Sequence, residues 1–190
     1  MNIILASASP RRREILELIG LAPDAILPSE ADETVEASLP PEEKVMTLAA
    51  RKAASVAARD DLPPDALIIA SDTVVVYGGT VLGKPRDRAD GCRMLKMLSG
   101  RTHAVYTGVC LLYQNKKQIF YNKTDVEFYP LTDGEINAYL DTGEPFDKAG
   151  AYGIQGKGSV LVRRIDGDFF SVMGLPAAQV RRAVREIAEK

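Results

Sequence analysis

The sequence predicts a mixed α/β fold, and three observations carry that expectation. The stretch Ala66–Tyr77 is filled with apolar and β-branched residues without polar alternation. That is the pattern of a strand covered on both faces. Segments with apolar residues three and four apart alternate along the chain with such strand-like runs, so helices are at hand to supply the cover. A chain of 190 residues, 46% of them hydrophobic, is long enough for one large domain or for two small lobes on one core.

Taken in order, residues 2–6 read as a short buried strand. Ser9 then stands at an N-cap position, Pro10 at the first helical position and Gly20 at the stop, which predicts a helix over 10–20 with Ile15, Leu18 and Ile19 on its buried face. Residues 24–28 read as a second strand, and 29–36 as an acidic loop without periodicity. Pro40-Pro41 opens a long helix over 42–59, in which Val45, Leu48, Ala49, Ala53 and Val56 form one stripe flanked by Lys52. After the strand at 66–77, Gly78-Gly79 signals a hairpin and residues 80–82 return.

Further on, residues 87–98 form a helix with Ala89, Cys92, Met94, Leu95 and Leu98 available for packing. Two long strands, 102–113 and 118–129, flank a polar turn at 114–117 and read as a smaller lobe or an extension of the sheet. Residues 133–140 are a short helix. The stretch 143–156 is rich in glycine and polar groups yet carries Phe146, Tyr152 and Ile154, which predicts an ordered functional loop. A strand at 159–165, a turn at Asp166-Gly167, a partner strand at 169–172 and a helix at 176–188 complete the chain.

Composition excludes several function classes. The net charge is -2, so no global field draws in nucleic acid or an anionic membrane. No apolar run approaches the roughly 18 residues of a membrane span, and the first residues lack a signal-peptide pattern. The two cysteines, Cys92 and Cys110, have no motif spacing and read as small buried hydrophobes in a reduced protein. These features predict a soluble cytoplasmic protein. His103 is the only histidine, so a Ser-His-Asp triad must use it and a His-rich zinc site cannot exist. Any metal is expected to sit on carboxylates and waters, which favours magnesium or manganese.

The chemistry-bearing residues stand out against this background. Asp72, between two hydroxyl residues, interrupts an otherwise apolar strand. A buried carboxylate needs a cation, a metal or water beside it, unless Ser71-Asp72-Thr73 is a turn between two short strands. Arg11 and Arg12 occupy the first turn of a helix, where the macrodipole disfavours cations. Together with the free N–H groups of that turn they suit an anion. Glu33 lies in the acidic loop, Lys52 beside a packed stripe, and Lys84 in a tight Gly83-Lys84-Pro85 turn. Gly78 to Lys84 fits the first part of a P-loop, but Pro85 replaces the magnesium-binding hydroxyl and the glycine pair sits in a hairpin, so that reading is rejected. Gln155 offers donors and acceptors suited to the edge of a base. Cations and carboxylates without a histidine base suit a polyphosphate held with a divalent metal.

Six segments resemble the Maf family in the family's own order: Ser7-Ala8-Ser9-Pro10-Arg11-Arg12, Ala50-Arg51-Lys52-Ala53, Ser71-Asp72-Thr73-Val74-Val75, Gly83-Lys84-Pro85, Leu98-Ser99-Gly100-Arg101-Thr102-His103 and the stretch from Asp147 to Gly156. They span nearly the whole chain. The resemblance implies an elongated central sheet flanked by helices, with a cleft between two lobes as in the inosine triphosphate pyrophosphatases. It implies a nucleoside triphosphate pyrophosphatase releasing nucleoside monophosphate and diphosphate. Arg11, Thr73 and Gln155 match the dTTP/UTP branch, so the resemblance implies that they carry specificity and that Asp72 is the proton acceptor. Ser9, Arg11, Arg12, Lys52 and Lys84 are expected to hold phosphates, with Glu33, Lys52 and Lys84 in the catalytic set. Glu33 and Asp72 are the expected metal ligands. The resemblance also implies a homodimer and a link to septum formation and cell-division arrest. Two alternatives stay open at this point: a pyrophosphatase for non-canonical nucleotides, and a non-catalytic nucleotide sensor in septum formation.

Overall fold

The computed structural model describes residues 1–189. Seven strands and six α-helices alternate as expected for an α/β chain: β1 (Asn2–Leu5), α1 (Pro10–Leu18), β2 (Ala25–Ile26), α2 (Pro41–Ala57), β3 (Ala66–Tyr77), β4 (Thr80–Leu82), α3 (Arg88–Leu98), β5 (Thr102–Tyr113), β6 (Lys116–Phe128), α4 (Asp133–Leu140), β7 (Val162–Asp166), α5 (Phe169–Met173) and α6 (Ala177–Glu189). The strands are hydrogen-bonded in the order β2-β1-β3-β5-β6-β7, with β4 on β3. β1 runs parallel to both β2 and β3, whereas β4 and β7 are antiparallel to their neighbours. The paired strands 102–113 and 116–128 therefore extend one mixed sheet.

Two compact units share these strands. The first comprises residues 1–72, 107–122 and 174–190, and the second comprises 73–106 and 123–173. In the first unit, Ile4, Ala6, Ile68, Ala70 and Cys110 of the sheet pack with Ala49, Ala53 and Val56 of α2. The five-residue stripe read from the sequence is the buried face of that helix. Alanines and Gly108 on this interface keep the helix close to the strands. In the second unit, α3 and α4 cover a core of Val75, Leu82, Leu95, Leu98, Val126, Phe128 and Leu140.

β3 is one continuous strand through Asp72, so the two-strand alternative is corrected. The Gly78-Gly79 hairpin forms as read, with φ of 55° and 77°, the left-handed geometry that a tight hairpin needs.

Four local expectations are also corrected. Residues 169–172 are helical, because Asp168 caps the segment: its Oδ1 accepts the Ser171 N–H at 2.7 Å. A local cap outweighs the β preference of Phe-Phe-Ser-Val. Residues 156–161 form 3-10 turns, and β7 starts only at Val162. On α1 the buried residues are Ile15 and Leu16, while Leu18 is 67% exposed. There the Leu21 N–H bonds to the Leu16 carbonyl and the Gly20 N–H to the Glu17 carbonyl. This C-terminal turn ends the helix, and the face it buries is centred on Ile15 and Leu16, one position round from the face read from the spacing. On α3, Ala89 is exposed and Asp90 and Gly91 are buried. Asp90 is held by Arg93 and by the Arg86 N–H.

Candidate active site

Strand alternation puts Asp72 on the same face of β3 as Ile68 and Ala70, the face that α2 covers. Lys52 lies beside Ala53 on that helix. Its ammonium donates to Asp72 Oδ1 at 2.6 Å and meets Glu33 Oε1 at 2.8 Å. The Lys52 and Asp72 side chains are each only 13% exposed, whereas Glu33 is 67% exposed. Lys52 thus bridges an inner carboxylate and an outer one. The awkward charge in β3 is balanced by a cation delivered from the helix stripe. Asp32, adjacent to Glu33, turns to its own loop and accepts the Thr34 N–H at 2.8 Å.

Arg12 joins this cluster from the first turn of α1. β1 ends at Leu5 opposite Ile69, while β3 continues to Asp72. The chain leaving β1 therefore crosses the carboxyl end of a parallel pair, the customary place for a ligand in such sheets. Arg12 Nε donates to the Gly174 carbonyl at 3.0 Å and Nη1 to Ser7 Oγ at 3.0 Å. Ser71 Oγ donates to the same Gly174 carbonyl at 2.9 Å. One carbonyl thus ties the α1 arginine to the strand that bears Asp72. Loss of hydration lowers the Arg12 pKa most; Asp72 opposes that, Arg11 adds to it, and Glu33 opposes it. Three neighbouring charges thus act on one guanidinium. Ser9 occupies the N-cap of α1, but its side chain makes no capping bond; its N–H goes to Ser7 Oγ instead.

The structure therefore gathers Arg12, Lys52, Glu33 and Asp72 in the first unit, with Arg11 and Ser9 on the same turn as Arg12. Thr73, Lys84 and Gln155 belong to the second unit. Thr73 follows Asp72 on β3 and is half-buried, while Lys84 and Gln155 are exposed. The Gly83 carbonyl accepts the Gly150 N–H at 3.0 Å, so the turn bearing Lys84 is bonded to the glycine-rich segment bearing Gln155.

Sequence reasoning passed over Gly174 and gave Ser7 no role of its own. A glycine ahead of Leu-Pro and the last helix was the available signal for the first. Nothing in the sequence announces that its carbonyl receives an arginine from 162 residues away.

His103 takes no part in this cluster. It is 3% exposed, its Nε2 lies 2.8 Å from the Tyr152 hydroxyl, and its ring packs edge-on against Phe128 and Tyr152. Burial pushes its pKa down to about 4 against a weaker pull from Asp125. A folded pKa below the unfolded value means that the unfolded chain binds more protons between those values. Stability conferred by the neutral ring is therefore present above about pH 6.5 and is lost as pH falls toward about 4. At roughly 1.4 kcal/mol per unit, the loss across that window is about 3 kcal/mol. Urea unfolding at pH 7 and pH 5 is expected to show a smaller pH difference in His103→Gln than in the parent. Equal differences would contradict a neutral buried imidazole.

Comparison with known proteins gives the family. A family model for Maf-like proteins matches residues 2–187. The chain belongs to the Maf family. A dTTP/UTP pyrophosphatase of Bacillus velezensis is 49% identical over 185 residues, covering 97% of this chain and 96% of that protein. Another, of Bacillus anthracis, is 49% identical over 188 residues, covering 99% and 95%. Among solved structures, a HAM1 protein from Coxiella burnetii aligns with a TM-score of 0.52 at 16% identity, over 98% of this chain and 99% of that one. That likeness concerns the fold, a central sheet flanked by helices. In this Maf chain, the motifs around Arg12, Lys52 and Asp72 fall on the start of α1, on α2 and on β3; the Lys52 and Asp72 side chains meet, and Arg12 shares the Gly174 carbonyl with Ser71 of β3. Among the described residues, no helix is long and apolar enough to cross a membrane.

Proposed function

We propose that this Maf protein hydrolyses the α–β phosphoanhydride bond of pyrimidine nucleoside triphosphates, dTTP and UTP, to nucleoside monophosphate and diphosphate. The observation that carries the reading is the Asp72–Lys52–Glu33 bridge beside Arg12, in a chain 49% identical over nearly its full length to proteins named for that activity. Arg12 and Lys52 neutralise phosphate oxygens, with Arg11 and Ser9 adding donors from the same turn as Arg12 and Lys84 contributing its ammonium. Lys52 at rest is bonded to Asp72. A polyanion competing for that ammonium leaves the Asp72 carboxylate to take the proton of an attacking water. The water attacks the α-phosphorus, the bond to the β-phosphate oxygen breaks, and diphosphate leaves with its charge matched by the same cations. Thr73, Arg11 and Gln155 select the pyrimidine.

A divalent cation fits the donor set in an open form. Among the described residues, no three carboxylate, histidine or cysteine groups converge to cage a metal ion. Glu33 and Asp72 do converge on a single positive group, the Lys52 ammonium. Magnesium-like ions are commonly bound through one or two carboxylates and the substrate's phosphates. Glu33 and Asp72 would hold such an ion, which when bound supplies phosphate charge neutralisation and a more acidic water.

The test is a panel of pyrimidine, purine and modified triphosphates incubated with the purified protein and magnesium or manganese, with products resolved. Monophosphate plus diphosphate from UTP and dTTP, at rates well above those for GTP and ATP, is the expected result. Release of inorganic phosphate alone overturns the bond assignment. Equal purine rates overturn the specificity, and binding without turnover overturns the enzyme.

A further inference from the structure

The segment that bears Gln155 is pinned on both sides by two side chains that no step above uses. Tyr139 lies on α4 and Glu144 directly after it, in the 3-10 turn Glu144–Asp147. The Tyr139 hydroxyl accepts the Gly153 N–H at 3.0 Å and donates to Glu144 Oε1 at 2.9 Å. Glu144 Oε1 also accepts the Gly158 N–H at 3.1 Å, and Oε2 accepts the Lys157 N–H at 3.0 Å. The tethered backbone atoms lie two residues before Gln155 and two and three residues after it. Between them Gln155 is extended, with φ -97° and ψ 153°, and its side chain is exposed.

Two further contacts close the grip. Lys148 Nζ donates to the Glu144 carbonyl and to Asp147 Oδ1, both at 2.7 Å, and its stem lies against Gly153. A Cβ on Gly158 would stand 2.6 Å from the Tyr139 hydroxyl, nearer than a side chain could approach it. Burial pushes the Glu144 carboxyl up, but the Lys157 N–H, the Tyr139 hydroxyl and the Gly158 N–H outweigh it and hold the group below its ordinary pKa. The carboxylate is therefore charged at neutral pH, where its bonds to N–H donors are at their strongest.

We propose that Glu144, with Tyr139, is a positioning residue for base recognition: the pair fixes the backbone around Gln155 so that its amide is presented to the pyrimidine in one orientation. This rests on the proposed function, in which Gln155 reads the base. A hydrogen-bonding amide discriminates only as well as it is held, because a loosely held one adapts to the wrong edge. Glu144 touches neither phosphate nor reacting atoms in this arrangement. Its loss therefore acts on nucleotide choice and KM, and leaves the hydrolytic step largely untouched.

The experiment compares Glu144→Ala, Glu144→Gln, Tyr139→Phe and Gln155→Ala with the parent. Tyr139→Phe keeps the buried ring and removes only the oxygen, so it serves if Glu144→Ala does not fold. Steady-state kinetics on UTP and GTP are read beside hydrogen exchange of the 153–158 amides in the nucleotide-free protein and inhibition by inorganic tripolyphosphate. Expected for Glu144→Ala and Tyr139→Phe is exchange at least about 10-fold faster. The UTP-over-GTP preference is expected to fall by about 10-fold, mostly through KM for UTP, with kcat within about 3-fold. Tripolyphosphate, which has no base, inhibits them as it does the parent. Glu144→Gln, which keeps one acceptor oxygen, recovers part of the preference. Parent-like preference in a folded Glu144→Ala or Tyr139→Phe, while Gln155→Ala loses it, overturns the positioning role alone. No preference in the parent, or parent-like preference in Gln155→Ala, overturns the base-reading role and the positioning role with it; unchanged exchange shows that the pin itself is absent.

Discussion

Asp72→Asn is expected to lower the turnover of UTP and dTTP by roughly 100-fold or more and to leave the fold intact. Asparagine matches aspartate in shape, so β3 keeps its register and its apolar neighbours. The amide oxygen still accepts from the Lys52 ammonium where Oδ1 now stands at 2.6 Å. What disappears is the capacity to take a proton from water. The ammonium is not stranded either, because Glu33 lies 2.8 Å from the same Nζ. A thermal melt close to the parent's together with a collapse in diphosphate release is the signature of a lost base. A folded Asp72→Asn that keeps a third or more of the parent rate would remove Asp72 from that role. KM separates this effect from weakened binding: a change confined to KM, with kcat preserved, would make Asp72 a substrate ligand.

The elements that the sequence predicted well are those whose signal is local and repeated. α2 declared its buried face residue by residue, since five apolar positions at helical spacing leave one solution. β3 was recognisable because a 12-residue apolar run bounded by a glycine pair has no helical periodicity. Asp72 was conspicuous because it broke that run. The misreadings came where a single side chain decides the conformation. Asp168 turns Phe-Phe-Ser-Val into a helix by one capping bond, and composition points the other way. At α1, a short helix with few apolar positions, the spacing admits two neighbouring faces, and the one with Leu16 rather than Leu18 is buried.

The site divides along similar lines. Each charged residue was visible alone, because cations in a helix first turn and a carboxylate in a buried strand both conflict with local stability. Their convergence was not visible from spacing. It depends on the parallel register of β1 with β3 and on how closely α2 approaches the sheet. Gly174 shows the limit more sharply. Its contribution is a backbone carbonyl, which every residue has, so no side chain marks it in advance.

The closeness of α2 predicts the largest stability effect. A Cβ built on Gly108 of β5 would lie 2.4 Å from the carbonyl carbon of Val45, 2.5 Å from its oxygen and 2.7 Å from the Met46 nitrogen. These are helix backbone atoms, which no rotamer change can move aside. Gly108→Ala therefore forces α2 away from the strand, opening the packing among Ala49, Ala53, Ile68, Ala70 and Cys110. Overpacking of this kind typically costs 1–3 kcal/mol, and a backbone clash belongs at or above the upper end, about 3 kcal/mol. For a domain of this size that corresponds to a melting temperature lower by roughly 6–12 °C. The same displacement carries Lys52 outward, since Val45 and Lys52 lie two turns apart on one rigid helix, and a 2.6 Å bond to Asp72 does not survive a shift of an ångström. Activity measured well below the melting temperature is therefore expected to fall as well. Gly134→Ala on α4 is the control: its nearest neighbour would be the Thr132 hydroxyl at 3.8 Å, and alanine favours a helix by up to about 1 kcal/mol. It should melt at or slightly above the parent temperature. If Gly108→Ala melts within 2 °C of that control and retains full turnover, the close approach of α2 is not what delivers Lys52 to Asp72.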